Sequence, residues 1–267
     1  MKRTLGSLLL SFALGSSPLL RAEEASDPPP LSPSCRAPIY DIAAPAPLPH
    51  VAAALRSERT IRVMAIGSSS TVGVGASSPA KAYPAQLEAI LEKTFRNLDV
   101  VVTNRGVSGE LAAATAERLK SVIPLDQPDV VLWQVGTNDA LAKVPPEEFK
   151  ATVQSTLRWL KFHQIDTVLI GLQYSPAVET NARHHAFSRA ISEIAAEDNV
   201  LLVRRYDAMR FVALTKWEGL LSGDGLHQND HGYHCMAEHI AHAVVASAFS
   251  PDVSPAPTVE EARRLQP

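Results

Sequence analysis

The chain has 267 residues, 46% of them hydrophobic and 20% charged, with a formal net charge of −3. This is an ordinary globular composition, with enough apolar mass for one large core or two small ones. The near-neutral balance and the lack of any basic run exclude a generic nucleic-acid binder.

The N-terminus opens with the basic Met1-Lys2-Arg3, runs apolar from Leu5 to Leu20, and continues through Ala22 into Glu23-Glu24. That order is expected of a cleavable secretory signal over residues 1–22, cut after Ala22, although Leu20 stands where a small residue is usual. The apolar run is broken by Gly, Ser and Pro and falls short of the ~20 residues that a membrane span needs. The mature protein is therefore expected to be secreted or periplasmic, with no stable membrane insertion. Residues 23–58 are proline-rich and are expected to be an extended linker or a segment draped over the domain, because proline lacks a backbone donor. A single domain is expected over residues 59–249, and the proline-rich tail 250–267 is expected to be mobile. Cys35 and Cys235 are the two cysteines. In an oxidising compartment they would be able to bridge, closing a loop worth about 4–5 kcal/mol in the chain-entropy treatment; two unrelated thiols are the alternative.

Within the domain, apolar runs and helical periodicity alternate. Ile61–Ile66 reads as a strand, and Tyr83–Phe95 as a helix with Leu87, Ile90 and Leu91 on one side. Val100–Thr103 is a second strand and Glu110–Val122 a second helix. Val130–Val135 is continuously apolar, as a parallel strand covered on both faces should be. Pro146 opens a helix whose Phe149, Val153, Leu157 and Leu160 share a face. Strands at Val168–Leu172 and Val200–Val203, a helix from about Arg183, and a last helix from about Asp230 complete the series. Five strands alternating with helices predict an α/β fold, a three-layer α/β/α sandwich around a five-stranded parallel sheet. Sites in such sheets form in loops at the carboxyl ends of the strands.

Those loops read Gly67-Ser68-Ser69-Ser70-Thr71-Val72-Gly73 after the first strand, Asn104-Arg105-Gly106-Val107-Ser108-Gly109 after the second, and Gly136-Thr137-Asn138-Asp139 after the third. Asp224-Gly225-Leu226-His227 precedes the last helix. Together they hold the parts of acyl transfer: a hydroxyl, an imidazole with a pKa in the neutral range to activate it, a carboxylate to orient the imidazole, and amide donors for an oxyanion.

In this order the four segments resemble the consensus blocks of the SGNH (GDSL-type) hydrolases, serine esterases and lipases on a flavodoxin-like sandwich. The resemblance covers about Arg62 to Ala248. The family's first block is Gly-Asp-Ser-x-Thr-x-Gly; Gly67, Thr71 and Gly73 fix the register and place Ser69 at the nucleophile. The resemblance implies His227 as general base with Asp224 as its partner, and an oxyanion hole from the Ser69 N–H, Gly106 and Asn138. It implies no metal and no organic cofactor. Ser68 stands where the family has aspartate, and is expected to cap the following turn in a weaker way.

The rival readings fall short. A phosphate-binding loop needs Lys-Ser/Thr after its last glycine, whereas Val74-Gly75 follows Gly73. His231, His234, Cys235 and His242 lie at helical spacing and would make a conceivable metal site, against a solvated helix face as the plainer alternative. Asp139 is expected to tie down its own turn, and His184 and His185 to diverge towards solvent. Tyr83, Leu141, Gln173, Tyr174 and Leu226 are candidates to line a pocket. The expected activity is an exported esterase cleaving short-acyl or acetyl esters through an acyl-enzyme on Ser69, with an acetylated glycan or another small ester as substrate partner. A lysophospholipase or thioesterase acting on lipid esters is the runner-up, since no long hydrophobic lid is evident. An O-acyltransferase and a non-catalytic glycan-binding protein are the further alternatives.

Overall fold

The computed structural model describes residues 27–96, 98–215 and 219–250. The expected signal segment and the tail beyond Ser250 lie outside the described residues. The five expected strands form as β2 (Ile61–Gly67), β3 (Val100–Gly106), β4 (Val130–Gln134), β5 (Asp166–Ile170) and β6 (Leu201–Val203). All five pair in parallel. The sheet has one more member than the five-stranded expectation. β1 (Ala43–Ala44) pairs antiparallel with β6 through Ala43 to Val203 and Ala44 to Leu202, giving the order β1-β6-β5-β4-β2-β3. Two alanines carry no periodicity, so an edge strand this short leaves no hydrophobic pattern to read.

The parallel strands alternate their burial between two cores. On β2, Ile61, Val63 and Ala65 belong to one cluster, while Met64 and Ile66 belong to the other. Besides the short helix α1 (Ile39–Ile42), α2 (Pro49–Arg56) and α3 (Ser69–Val72) precede α4 (Tyr83–Thr94). α5 (Ala112–Asp126), α6 (Thr137–Leu141), α7 (Pro146–Phe162) and α8 (Pro176–Glu179) follow, then α9 (His184–Glu197), α10 (Arg205–Thr215) and α11 (Asp230–Ala248). α4 and α11 cover one face, through Leu87, Leu91, Met236, Ile240 and Val244. α5, α7 and α9 cover the other, through Leu119, Phe149, Leu157, Phe187 and Ile191. The fold is thus the expected α/β/α sandwich.

The proline-rich segment is more ordered than its composition suggests. It supplies α1, β1 and α2, and it buries Cys35, Ile42, Leu48 and Val51. Pro49 sits at the first turn of α2, where its missing donor costs nothing, and Asp166 accepts the His50 and Val51 N–H groups at 2.9 Å. Cys35 and Cys235 are joined in a disulfide across a sequence separation of 200.

β2 and β4 are neighbours although β3 follows β2 in sequence, so the crossovers from β2 and from β4 leave towards opposite faces of the sheet. The crevice opened beyond their carboxyl ends is where Ser69 and Asn138 emerge.

Candidate active site

β2 ends on Gly67, at φ +148°, and a Cβ there would stand 2.6 Å from the Gln134 carbonyl oxygen. Glycine is what lets the turn press against β4. Ser68 follows in extended conformation, and Ser69 begins the single-turn helix α3, closed by Gly73 at φ +96°. Ser68 does not cap that helix as expected. Its backbone N–H and its hydroxyl both donate to Gln134 Oε1, at 3.0 and 2.8 Å.

Ser69 Oγ lies 2.9 Å from His227 Nε2, and His227 Nδ1 lies 2.6 Å from Asp224 Oδ2. The three residues therefore form one unbroken chain, although Ser69 and His227 are 158 positions apart in sequence. The Asp224 loop is built around its own carboxylate. Oδ1 accepts the Ser222 hydroxyl at 2.8 Å and the Leu226 and His227 N–H groups at 2.9 Å each. The hydrogen bond from His227, and then these donors, hold the Asp224 carboxyl well below the usual carboxylate range. Gly225, at φ +67°, makes the bend. The Asn229 side chain caps α11 by accepting the Gly232 N–H at 2.9 Å, fixing the loop's far end.

The expected oxyanion donors separate into two groups. Asn138 reaches the same edge from α6, and its Nδ2 donates one hydrogen to the Glu110 carbonyl at 3.0 Å, leaving the second to turn elsewhere. Gly106 is placed differently. Its N–H donates to Asn104 Oδ1 at 2.9 Å and is already committed within the loop. The glycine is needed for contact instead, since a Cβ at 106 would stand 2.4 Å from the Val72 nitrogen. Gly109, three residues on at φ +79°, adjoins Glu110 and makes no hydrogen bond through its N–H among the described residues.

Other candidates take structural places. Asp139 is 3% exposed and accepts the Ala112 N–H at 3.0 Å, so it ties the start of α5 to its own turn; burial raises its pKa. Tyr83 is fully buried with its hydroxyl 3.2 Å from Thr71 Oγ1, and Gln173 is buried, so neither lines an open pocket. Leu141 is exposed, as are Val72 and Val107, on the segments that leave the carboxyl ends of β4, β2 and β3. His184 does not reach solvent: it is buried, with its ring 4.4 Å from that of Tyr206. In the C-terminal histidine cluster, His234 bonds Gln86 and Glu238, and His242 bonds the Pro29 carbonyl. Cys35, His231 and Cys235 do converge, but both sulfurs are spent in the disulfide.

The family model of the non-GDSL lipase-like family matches residues 34–249. The chain belongs to that family. Among relatives, the esterase TesA of Pseudomonas aeruginosa is 25% identical over 142 residues, spanning 52% of this chain and 68% of the relative. An acetylxylan esterase of Geobacillus stearothermophilus is 24% identical over 184 residues, spanning 64% and 81%. The structure of a two-domain esterase active on acetylated mannans superposes with a TM-score of 0.67 at 19% identity, covering 84% of this chain and 61% of that one. Like the rest of the SGNH hydrolase superfamily to which it belongs, this non-GDSL lipase-like protein is an ester-hydrolysing enzyme on an α/β/α sheet. The family's descriptor fits the first turn, where serine replaces the aspartate of the usual block.

Proposed function

We propose that the protein is an exported serine esterase that removes short acyl groups, acetyl above all, from a glycan ester, through an acyl-enzyme on Ser69. The observation that carries this reading is the continuous Asp224–His227–Ser69 chain, at 2.6 and 2.9 Å. Ser69 Oγ attacks the ester carbonyl carbon while its proton passes to His227 Nε2. Asp224, ionised, holds the Nδ1–H and favours the imidazolium that results. The carbonyl oxygen becomes an oxyanion facing the Ser69 N–H, the Asn138 amide and, in place of Gly106, the Gly109 N–H. Such donors are each worth about 3–4 kcal/mol in the transition state. The bond to the leaving alcohol oxygen then breaks, and His227 returns the proton to that oxygen. A water gives its proton to His227 and attacks the acyl carbon. Collapse returns the proton to Ser69 and releases the carboxylic acid.

The reading of size selection takes Val72, Val107 and Leu141 together as an apolar rim of the site. Val72, Val107 and Leu141 are 42%, 44% and 37% exposed, and the Asp224 side chain is 47% exposed. An edge this open admits a bulky alcohol such as a sugar, while a few small apolar groups suit a short acyl chain. The kinship with an acetylxylan esterase supports the glycan. The same apolar rim supports the second reading, a lysophospholipase or thioesterase type of lipid hydrolase. The disulfide supports export to an oxidising compartment.

The test is hydrolysis of p-nitrophenyl esters from acetate to laurate, and of acetylated xylo- and manno-oligosaccharides, by the mature protein and by Ser69→Ala. Activity on acetate and on the oligosaccharides that disappears in Ser69→Ala is the expected result. A maximum at long chains would establish the lipid reading. A folded protein that neither turns over these esters nor is labelled by a serine-directed phosphonate would be a binding protein.

A further inference from the structure

Between the turn that carries Ser69 and the loop that carries His227 lies a positive charge that no carboxylate bonds among the described residues. Arg205 opens α10 directly after β6 and is 2% exposed. Its Nη2 donates to Ser70 Oγ at 2.8 Å, to Gln173 Oε1 at 2.9 Å and to Gln228 Oε1 at 3.3 Å. Its Nε and Nη1 have no hydrogen-bond partner, and no carboxylate bonds the guanidinium, among the described residues. Burial lowers its pKa to about 10, which leaves it charged at neutral pH.

Packing does not account for such a residue. A buried cation among neutral oxygens costs folding free energy that an apolar side chain of similar volume would avoid. What it touches is more telling. Ser70 is the residue after Ser69, and Gln228 is the residue after His227. Gln173 joins the two sides a second time: its Oε1 accepts the Ser70 hydroxyl at 2.9 Å, and its Nε2 donates to the Leu226 carbonyl, one residue before His227, at 2.8 Å. One guanidinium nitrogen therefore meets the immediate neighbours of both Ser69 and His227. All four members of this network are at most 3% exposed, so each bond is made away from competing water.

We propose that Arg205 is a positioning residue for ester hydrolysis, a buried cationic clasp that holds the turn bearing Ser69 in register with the loop bearing His227. The proposal rests on the reading of Ser69 as nucleophile and His227 as base. Arg205 touches no reacting atom. Its effect passes through the alignment of the Ser69–His227 pair, and alignment enters kcat rather than the binding of a small ester.

The experiment compares the parent with Arg205→Met, Arg205→Lys and Ser70→Ala. It measures kcat and KM on p-nitrophenyl acetate and the rate at which a phosphonate labels Ser69, with folding checked by circular dichroism. Arg205→Met is expected to lower kcat about ten- to a hundredfold, with KM within about twofold and labelling slowed in step. Arg205→Lys, which restores charge and a donor, is expected to recover part of the loss. Ser70→Ala is expected to show a smaller loss of kcat in the same direction. A kcat within about twofold of the parent in Ser70→Ala overturns the clasp even where Arg205→Met does not fold. So does a folded lysine variant no better than methionine. Persisting activity in Ser69→Ala overturns the underlying esterase reading instead, so the two failures are told apart.

Discussion

Ser68 and Gln134 are joined twice, the backbone N–H and the hydroxyl of the serine converging on one amide oxygen at 3.0 and 2.8 Å. Both residues are buried, and the pair locks the turn before Ser69 to the end of β4. Where most of the superfamily carries aspartate, this chain has paired a serine with an acceptor. Ser68→Asp is therefore expected to destabilise. A carboxylate would face Gln134 Oε1, and turning the amide round would leave the residue-68 N–H without its acceptor. A loss of about 1–3 kcal/mol is expected from urea unfolding, with lowered kcat. An aspartate variant as stable as the parent would show that the pair does not hold the turn.

Gly106 offers a clean separation of donor from spacer. Alanine keeps the N–H, so a role as donor alone predicts unchanged activity. The contact with the Val72 nitrogen predicts that Gly106→Ala pushes β3 and α3 apart, costing about 1–3 kcal/mol of stability and lowering kcat. Thermal unfolding and p-nitrophenyl acetate turnover decide between the two.

The pH dependence has a definite sign. The folded state depresses the Asp224 pKa, so its stabilising contribution is present above the ordinary carboxylate value and is lost only as pH falls through the depressed one. Between about pH 4 and 8 the carboxylate stays ionised, and the acid limb of kcat/KM should rise with a slope of one, for a single proton lost. A slope of two would show that the Asp224 carboxylate titrates within that window. Asp224→Asn should lower kcat by about 10⁴-fold at neutral pH, as loss of the orienting carboxylate does in other serine triads.

The disulfide is expected to act on stability and not on chemistry. Replacing both cysteines by serine frees a loop whose ends are 200 residues apart, worth about 5 kcal/mol. The melting temperature should fall by about 10 °C or more. Turnover at 25 °C should be unchanged, since none of Ser69, His227 and Asp224 bonds the bridge. An equal Tm with and without reductant would argue against the bridge in solution.

The parts of the fold that were legible were those with long, regular burial. β2 and β4 are apolar runs covered on both faces, and α7 repeats its apolar residues with helical period, so each announces itself in the sequence. β5 begins and ends two residues before the expected strand because Asp166 and Thr167, polar by type, are buried by their partners. α10 carries no such signal: it begins on Arg205, whose charged side chain reads as surface although it is buried among side-chain oxygens. In the site, side chains with one chemical use, Ser69, His227, Asp224 and Asn138, were legible as types within loops. A glycine such as Gly106 is less legible, because glycine signals both a free N–H and a close approach.

β2 delivers Ser69 early in the chain, whereas His227 waits on a loop braced by α11, which ends at Ala248. On the proposed mechanism, synthesis makes the serine long before its base, and a chain interrupted anywhere between Ser69 and His227 holds a serine with nothing to activate it. On that mechanism a nascent copy is expected to be inactive until the far end of the domain has folded back onto the start.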